Sequence, residues 1–185
     1  MPGPMTGVKD VPQCGAEAVA TSRPAGVAPR VPMDARSPAA SADSFALTHD
    51  LPLLVIRGRR VLPVVQGGMG VGISAHRLAG AVAQLGAVGT VSAVDLRRHH
   101  PDLLAASRHG DKATVDAANL TALDREIRAA KDLAAGNGLV AVNVMRAVSE
   151  YAAYVRQACA SGADAIVVGA GLPLDLPELT ADWPD

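Results

Sequence analysis

The chain has 185 residues, enough for one domain of ordinary size, and its formal net charge is −1. Its charges form neither a basic stripe nor an acidic tail, which argues against a nucleic-acid-binding protein and against a long solvating segment. No apolar run approaches the roughly 18–20 residues that cross a bilayer, so we expect no membrane-spanning helix.

The first fifty residues differ in composition from the rest. They hold seven of the thirteen prolines, and neither a helical nor a strand period is sustained there. This pattern predicts a disordered Pro/Ala-rich tail over residues 1–50, which is a regulatory tail, a transit sequence or upstream DNA translated from a misassigned start. The start lacks the basic and apolar regions of a signal peptide, so we expect a cytoplasmic protein. The two cysteines, Cys14 and Cys159, form no metal or redox motif.

From Leu51 onward, predicted strands alternate with predicted helices. The strands are nearly all apolar and cover Val61–Val65, Ala87–Val91, Leu139–Asn143 and Asp164–Val168. The helices cover Ala75–Leu85, about Val115 to Ala135, and Ser149 to about Ala160. Hydrophobic strands that alternate with helices predict an α/β fold with a parallel sheet. Right-handed crossovers leave two architectures, an open doubly wound sheet or a barrel.

Several residues predict where the helices begin, end and face the core. Ser74 is expected to cap the first helix and Gly86 to end it. Leu78, Val82 and Leu85 are expected to form the buried face of that helix. In the long helix, the predicted inner residues are Leu120, Leu123, Ile127 and Leu133. The predicted exposed and charged residues of that helix are Asp124, Arg125, Glu126, Arg128 and Lys131.

The stretch QGGMGVGIS, Gln66 to Ser74, places four glycines directly after the first predicted strand. Ligands bind at the carboxyl ends of parallel strands in either architecture. Gly67 and Gly68 allow a flat ligand to approach the backbone, although a tight turn between strand and helix explains them as well. The spacing does not fit GxGxxG and no Gly-Lys-Ser/Thr occurs, which disfavours an ordinary dinucleotide site and a P-loop.

Asn143 ends the third predicted strand and faces the same edge of the sheet as the glycines. An amide donates and accepts in one plane, which suits the edge of a heteroaromatic ring. A turn residue is the alternative interpretation of Asn143.

The remaining polar candidates favour ordinary structural roles, and we predict no metal site. His99 and His100 lack a third ligand at metal spacing and are expected to be solvated loop residues. His76 is expected at the surface or rim, and His109 in a polar loop. The small basic cluster Arg57, Arg59 and Arg60 is expected to be solvated at the bottom of a barrel.

Four segments of the sequence resemble the nitronate monooxygenase family, formerly called 2-nitropropane dioxygenases. They are PVVQGGMGVGIS, GAVGTVSA, AVNVMRAV and GADAIVVGAGLPLDLPEL, and they match in order and approximate spacing over about Leu51 to Asp185. This FMN-binding group of TIM barrels also contains flavin-dependent enoyl reductases of fatty-acid synthesis and reductase subunits of polyunsaturated fatty-acid synthases.

The resemblance implies a (β/α)8 barrel that holds FMN non-covalently at the carboxyl-end rim. Backbone at Gly67, Gly68 and Met69 would lie against the isoalloxazine ring, with Gly70 in the same element, and the Asn143 amide would bond the ring. The implied reaction oxidises alkyl nitronates with O₂ to a carbonyl compound and nitrite.

Parts of such an enzyme are missing from this sequence. A complete barrel needs about 250 residues, and only four βα units can be counted here. The Ala-Gly-Gly-His motif with the family's catalytic histidine does not occur, so we assign no catalytic residue. We therefore expect the amino-terminal half of a TIM barrel, truncated after the fourth strand and inactive alone, with self-association through exposed sheet edges. A flavin-dependent enoyl reductase-like protein, an interaction module and a non-catalytic gene fragment are the alternatives.

Overall fold

The computed structural model describes residues 51–183, so the tail predicted over 1–50 and Cys14 lie outside the described residues. The strands are β1 (Leu54–Ile56), β2 (Arg59–Val61), β3 (Val88–Ser92), β4 (Leu139–Met145) and β5 (Ala165–Gly169). The α-helices are α1 (His76–Gln84), α2 (Pro101–Ser107), α3 (Lys112–Ala134), α4 (Tyr151–Ala160) and α5 (Leu176–Leu179). A 3-10 helix covers Leu96–His99.

A three-stranded parallel sheet in the order β3-β4-β5 forms the centre of the fold. Val65 adds one further parallel bridge, to Val88, so a fourth chain segment runs beside β3. The predicted parallel α/β architecture is confirmed, because continuous apolar strands are buried by the helices that connect them. Within residues 51–183 the sheet does not close into a barrel.

The prediction of a single strand over Val61–Val65 is wrong. Val61 ends β2, which pairs antiparallel with β1 across a two-residue turn with positive φ at Arg57 and Gly58. Pro63 follows and has no backbone N–H, and the Val64 N–H donates to Leu62 O at 2.7 Å. The chain therefore turns between the hairpin and the bridge at Val65.

Helices α1, α3 and α4 cover one face of the sheet. Val91 of β3 and Val142 of β4 pack in one buried cluster with residues of these helices, among them Ala79, Ile127 and Val155. A Cβ built on Gly89 would lie 1.8 Å from Ala79 O, so α1 rests directly on the backbone of β3.

Because α1 lies so close to β3, the prediction of which residues form its buried face is also wrong. The buried residues of α1 are Ala79, Gly80 and Ala83, whereas Leu78 and Val82 are half-buried and Leu85 is 59% exposed. In α3, Leu123 and Ile127 are buried as predicted, Leu120 is half-buried and Leu133 is 40% exposed. Small side chains allow a close approach that larger ones prevent, and this closeness decides which face is buried.

The hairpin covers the amino end of the other face of the sheet. Val61 of the hairpin packs there with Val88, Leu139 and Ala141. Towards the carboxyl end, the segment after Val65 lies over β3 and β4, where Thr90 and Ser92 are buried, whereas Val167 of β5 is 42% exposed. We refer to this side of the sheet as the inner face.

Asp164 ties the hairpin to the sheet. Its carboxylate accepts from the Val140 N–H at 2.7 Å, from Lys131 Nζ at 2.8 Å and from Arg59 Nη1 at 3.1 Å. Arg59 Nη2 also donates to Gly138 O at 2.8 Å. The Arg59 side chain is 40% exposed, and its guanidinium also joins β2 to the amino ends of β4 and β5.

No helix of residues 51–183 is both long enough and apolar enough to cross a membrane.

Candidate functional site

The loop Gln66–Ser74, the glycine loop from here on, lies across the carboxyl ends of β3 and β4. A Cβ built on Gly68 would lie 2.4 Å from Asn143 Cβ, and one on Gly70 would lie 3.3 Å from Ser92 Oγ. The glycine loop and Asn143 are thus brought together at one edge of the sheet. We call this edge the rim.

Gln66 fastens the beginning of the glycine loop to β3. Its Oε1 accepts from the Thr90 N–H at 2.9 Å, while its Nε2 donates to Ser74 Oγ at 2.7 Å and to Gly67 O. The side-chain amide therefore satisfies backbone and hydroxyl groups that would otherwise lack partners. Sequence reasoning missed this residue, although a glutamine between an apolar run and a glycine cluster was a signal.

Ser74 closes the glycine loop from within and is fully buried. Its Oγ accepts from the Met69 N–H at 2.9 Å and donates to Gly67 O at 3.1 Å. The prediction that Ser74 caps α1 is wrong, because the N-cap is Ala75 and receives no side-chain hydrogen bond. The Ser74 hydroxyl also accepts a hydrogen bond from Gln66 Nε2, so it has no free lone pair to accept one from the first turn of α1.

Beyond these bonds, the rim presents bare backbone to its surroundings. A Cβ built on Gly67 would meet no atom within 4 Å, and Met69 is exposed. Asn143 lies beside them and is half-buried. The Thr90 hydroxyl, on the same face of the sheet, is buried without a hydrogen-bond partner within residues 51–183. Open backbone next to a side-chain amide and a hydroxyl suits the edge of a flat polar ring.

A second polar cluster lies behind the glycine loop, around Glu126 of α3. Glu126 is 2% exposed, so its predicted place on an exposed helix face is wrong. Its Oε2 accepts from the His76 N–H at 2.6 Å and lies 2.7 Å from His76 Nδ1. Its Oε1 lies 3.0 Å from His100 Nε2.

The expected solvation of His100 is also wrong, because its side chain is only 18% exposed beside this carboxylate. His99 lies against the glycine loop, where a Cβ built on Gly72 would fall 1.4 Å from His99 Nε2. Sequence reasoning missed this cluster because the partners of Glu126 are far from it along the chain. A cavity of about 480 Å³ opens between these groups.

The cluster does not form a metal centre. Among residues 51–183, no three or more His, Cys, Asp or Glu side chains are grouped in a way that could hold a metal ion. The two imidazoles instead approach opposite oxygens of one carboxylate. Their contacts join the first turn of α1 to the turn that precedes α2.

The chain matches no protein-family model and no curated protein.

Proposed function

We propose that the chain provides the ring-binding part of an FMN site in an oxidoreductase of the nitronate monooxygenase type. The observation that carries the proposal is the position of the glycine loop beside Asn143. Gly68 approaches Asn143 too closely for any side chain, while the neighbouring Gly67 faces open space. The glycine loop and Asn143 lie at the carboxyl ends of parallel strands, where α/β proteins bind their ligands.

The residues at the rim fit the isoalloxazine ring of a flavin. A flat ring can stack on Gly67 because no side chain stands there, and exposed backbone amides donate to ring oxygens and nitrogens. The amide of Asn143 can donate and accept at the ring edge. Barrel-bound phosphate groups are usually held by loops after strands seven and eight, so this rim fits the ring rather than the phosphate.

The proposal extends to the fold, as the first half of a (β/α)8 barrel. The order of Val65, β3, β4 and β5 follows the chain, and each is parallel to the next. The helices cover one face, and the opposite face keeps exposed apolar residues at its carboxyl end. An inner face of this kind is what a closed barrel buries.

FMN would supply the redox chemistry that oxidises an alkyl nitronate with O₂ to a carbonyl compound and nitrite. Within this chain, Gln66 and Ser74 hold the glycine loop, Gly67 leaves room for the ring, and Asn143 orients it. We assign no proton-transferring residue to this reaction, and we expect no nitronate oxidation by the chain alone.

Flavin titration followed by ¹H–¹⁵N NMR tests the proposal. We expect FMN and riboflavin to shift the amide signals of Gly67, Gly68 and Met69 with similar affinities, because only the ring is held. The dissociation constants should be on the order of 0.1 mM or weaker.

Gly67→Ala is the decisive variant, because its Cβ enters open space in the protein but stands where the ring would stack. It should weaken flavin binding severalfold without changing stability, whereas Ala105→Ser, on the exposed surface of α2, should change neither. Absence of flavin-induced shifts at the rim, or unchanged binding by Gly67→Ala, contradicts the proposal. A tight yellow complex with FMN but not with riboflavin contradicts the restriction to the ring.

A further inference from the structure

The parallel sheet has two edges that pair with no other segment within residues 51–183. At the first edge, Val64 O accepts from the Val88 N–H at 3.0 Å, and the Gln66 N–H donates to Val88 O at 2.9 Å. Because neighbouring residues of a strand bond to opposite sides, the N–H and C=O of Val65 are directed away from β3. Strand β5 forms the other edge. Unpaired edges of this kind are ready templates for another strand.

Both edges present an apolar residue on the same face. Val65 is 56% exposed and lies opposite Val88, which belongs to the cluster on the inner face. Val167 of β5 is the other exposed valine of that face. The hairpin adds Val55, which is exposed while its neighbours Leu54 and Ile56 pack against the sheet. The protein thus leaves apolar surface at the two edges and at the bottom of one face.

We propose that two copies of this chain pair edge to edge, with β5 of each beside the Val65 segment of the other, and close an eight-stranded parallel barrel. Each copy contributes four parallel segments, and eight is the number of strands at which a (β/α) barrel closes. A twofold axis along the barrel keeps all strands parallel and uses both free edges of both copies. The inference rests on the sheet edges alone and does not require flavin binding.

The register of the sheet supports this closure. A barrel of this type has a shear of about eight residues around eight strands, hence about four across each copy. When this offset of about four residues is applied at the contact between β5 of one copy and the first segment of the other, Val65 lies opposite Val167. These are the exposed valines of the two edges, and both lie on the inner face. The register within one copy is given by the pairs Val65–Val88, Val88–Leu139 and Ala141–Ala165.

The loops that follow the two edge segments agree with this pairing. Val71 and Ile73 are exposed in the glycine loop after Val65. Leu172 and Leu174 are 75% and 79% exposed after β5. In the proposed dimer these loops follow neighbouring strands at the same end of the barrel. Apolar side chains that face solvent in one copy would then lie beside each other.

Light scattering coupled to size-exclusion chromatography tests the stoichiometry on the full 185-residue chain. We expect a particle of twice the 18.8 kDa chain mass that dissociates on dilution. Val167→Lys should shift the particle to the monomer mass, because it sets a charge at the edge, and its circular dichroism should be unchanged. Arg128→Ala, on the exposed side of α3, is the control and should leave the dimer intact.

Disulfide trapping tests the register. In a background of Cys14→Ser and Cys159→Ala, the pair Val65→Cys and Val167→Cys should give a covalent dimer on oxidation, and neither substitution alone should do so. A covalent dimer from Val167→Cys alone means that two β5 strands pair with each other, which contradicts the proposal. A monomer at all concentrations, or a series of growing oligomers, contradicts it as well.

Discussion

Gly68 and Asn143 come closer together than two side chains would permit. A Cβ on Gly68 would lie 2.4 Å from Asn143 Cβ, an atom fixed to the backbone of β4. Neither strand nor loop can relieve such a contact by rotating a side chain. The close approach therefore requires glycine at this position, independent of any ligand.

We predict that Gly68→Ala destabilises the protein by about 1–3 kcal/mol, the usual cost of overpacking. Gly67→Ala is the matched control and should change the free energy of unfolding by less than about 0.5 kcal/mol, because its Cβ meets no atom. Urea unfolding followed by circular dichroism measures both. Equal stability of the two variants would show that the glycine loop is not packed on β4.

Tyr154 is a second residue whose surroundings have a measurable consequence. Burial is the main cause that raises its pKa to about 12, and the nearby carboxylates of Glu150, Asp116 and Asp95 add to the effect. The unfolded side chain ionises near pH 10, so the neutral form favours the folded state. Its contribution to stability is complete below about pH 10 and is lost as the pH rises towards 12.

Absorbance at 295 nm should therefore show tyrosinate forming late in an alkaline titration. The chain has two tyrosines, Tyr151 and Tyr154, and burial also raises the pKa of Tyr151. Tyr154→Phe should remove the transition near pH 12 and leave the transition of Tyr151. Two transitions near pH 10 in the unchanged protein would mean that Tyr154 is not buried.

At the scale of elements, the hairpin depends on one carboxylate. Asp164 receives hydrogen bonds from β4, from α3 and from β2, so it joins three elements at the amino end of the sheet. Charge-assisted hydrogen bonds of a mostly buried group contribute more than those of exposed pairs.

We predict that Asp164→Asn costs about 2–3 kcal/mol of the free energy of unfolding, because it removes the charge that Arg59 and Lys131 face. The control is Asp102→Asn, which breaks the exposed pair with Arg125 and should cost much less stability than Asp164→Asn. Chemical denaturation compares the two variants. A smaller loss of stability for Asp164→Asn than for Asp102→Asn would contradict the role of Asp164 in holding the hairpin on the sheet.

The sequence predicted those elements whose signals are local. Apolar runs located β3, β4 and β5 to within a residue or two, and the helix stop at Gly86 is present with a φ of 87°. The proximity of the glycine loop and Asn143 was predicted correctly, because the carboxyl ends of parallel strands lie at the same edge of a sheet. The hairpin does not follow from the local pattern, because Val61–Val65 is uniformly apolar and reads as one strand, although Pro63 interrupts it.

Features that depend on distant contacts could not be read from local pattern. Glu126 stands among charged neighbours on α3, and only its packing against His76 and His100 explains its burial. Similarly, the buried face of α1 depends on how closely Gly80 approaches Leu133, at 2.7 Å from a built Cβ to Leu133 Cβ. Such distances belong to the fold and not to a single segment.

At the scale of the whole molecule, β4 is the strand of residues 51–183 that has a full strand on each side, because β3 has β4 on one side and a single bridge to Val65 on the other. β4 pairs with β3 and β5 over its length, whereas β5 and Val65 have one neighbour each. Local opening should therefore be least frequent in β4.

Hydrogen exchange followed by mass spectrometry or NMR should reflect this order. In dilute solution, where copies are separate, amides of β4 should exchange most slowly, and those of β5 and Val65 faster. At high protein concentration, exchange at β5 and Val65 should slow while that of α3 stays the same. Equal exchange in all strands at low concentration would contradict the open sheet.

The carboxylate of Glu126 connects α3 to the segments behind the glycine loop. It holds the amide at the start of α1 and faces the imidazole that precedes α2. A substitution at this buried position would remove the contacts behind the glycine loop without replacing any residue of that loop. Any engineered variant of the rim should therefore keep Glu126 and both imidazoles, since they set its shape from behind.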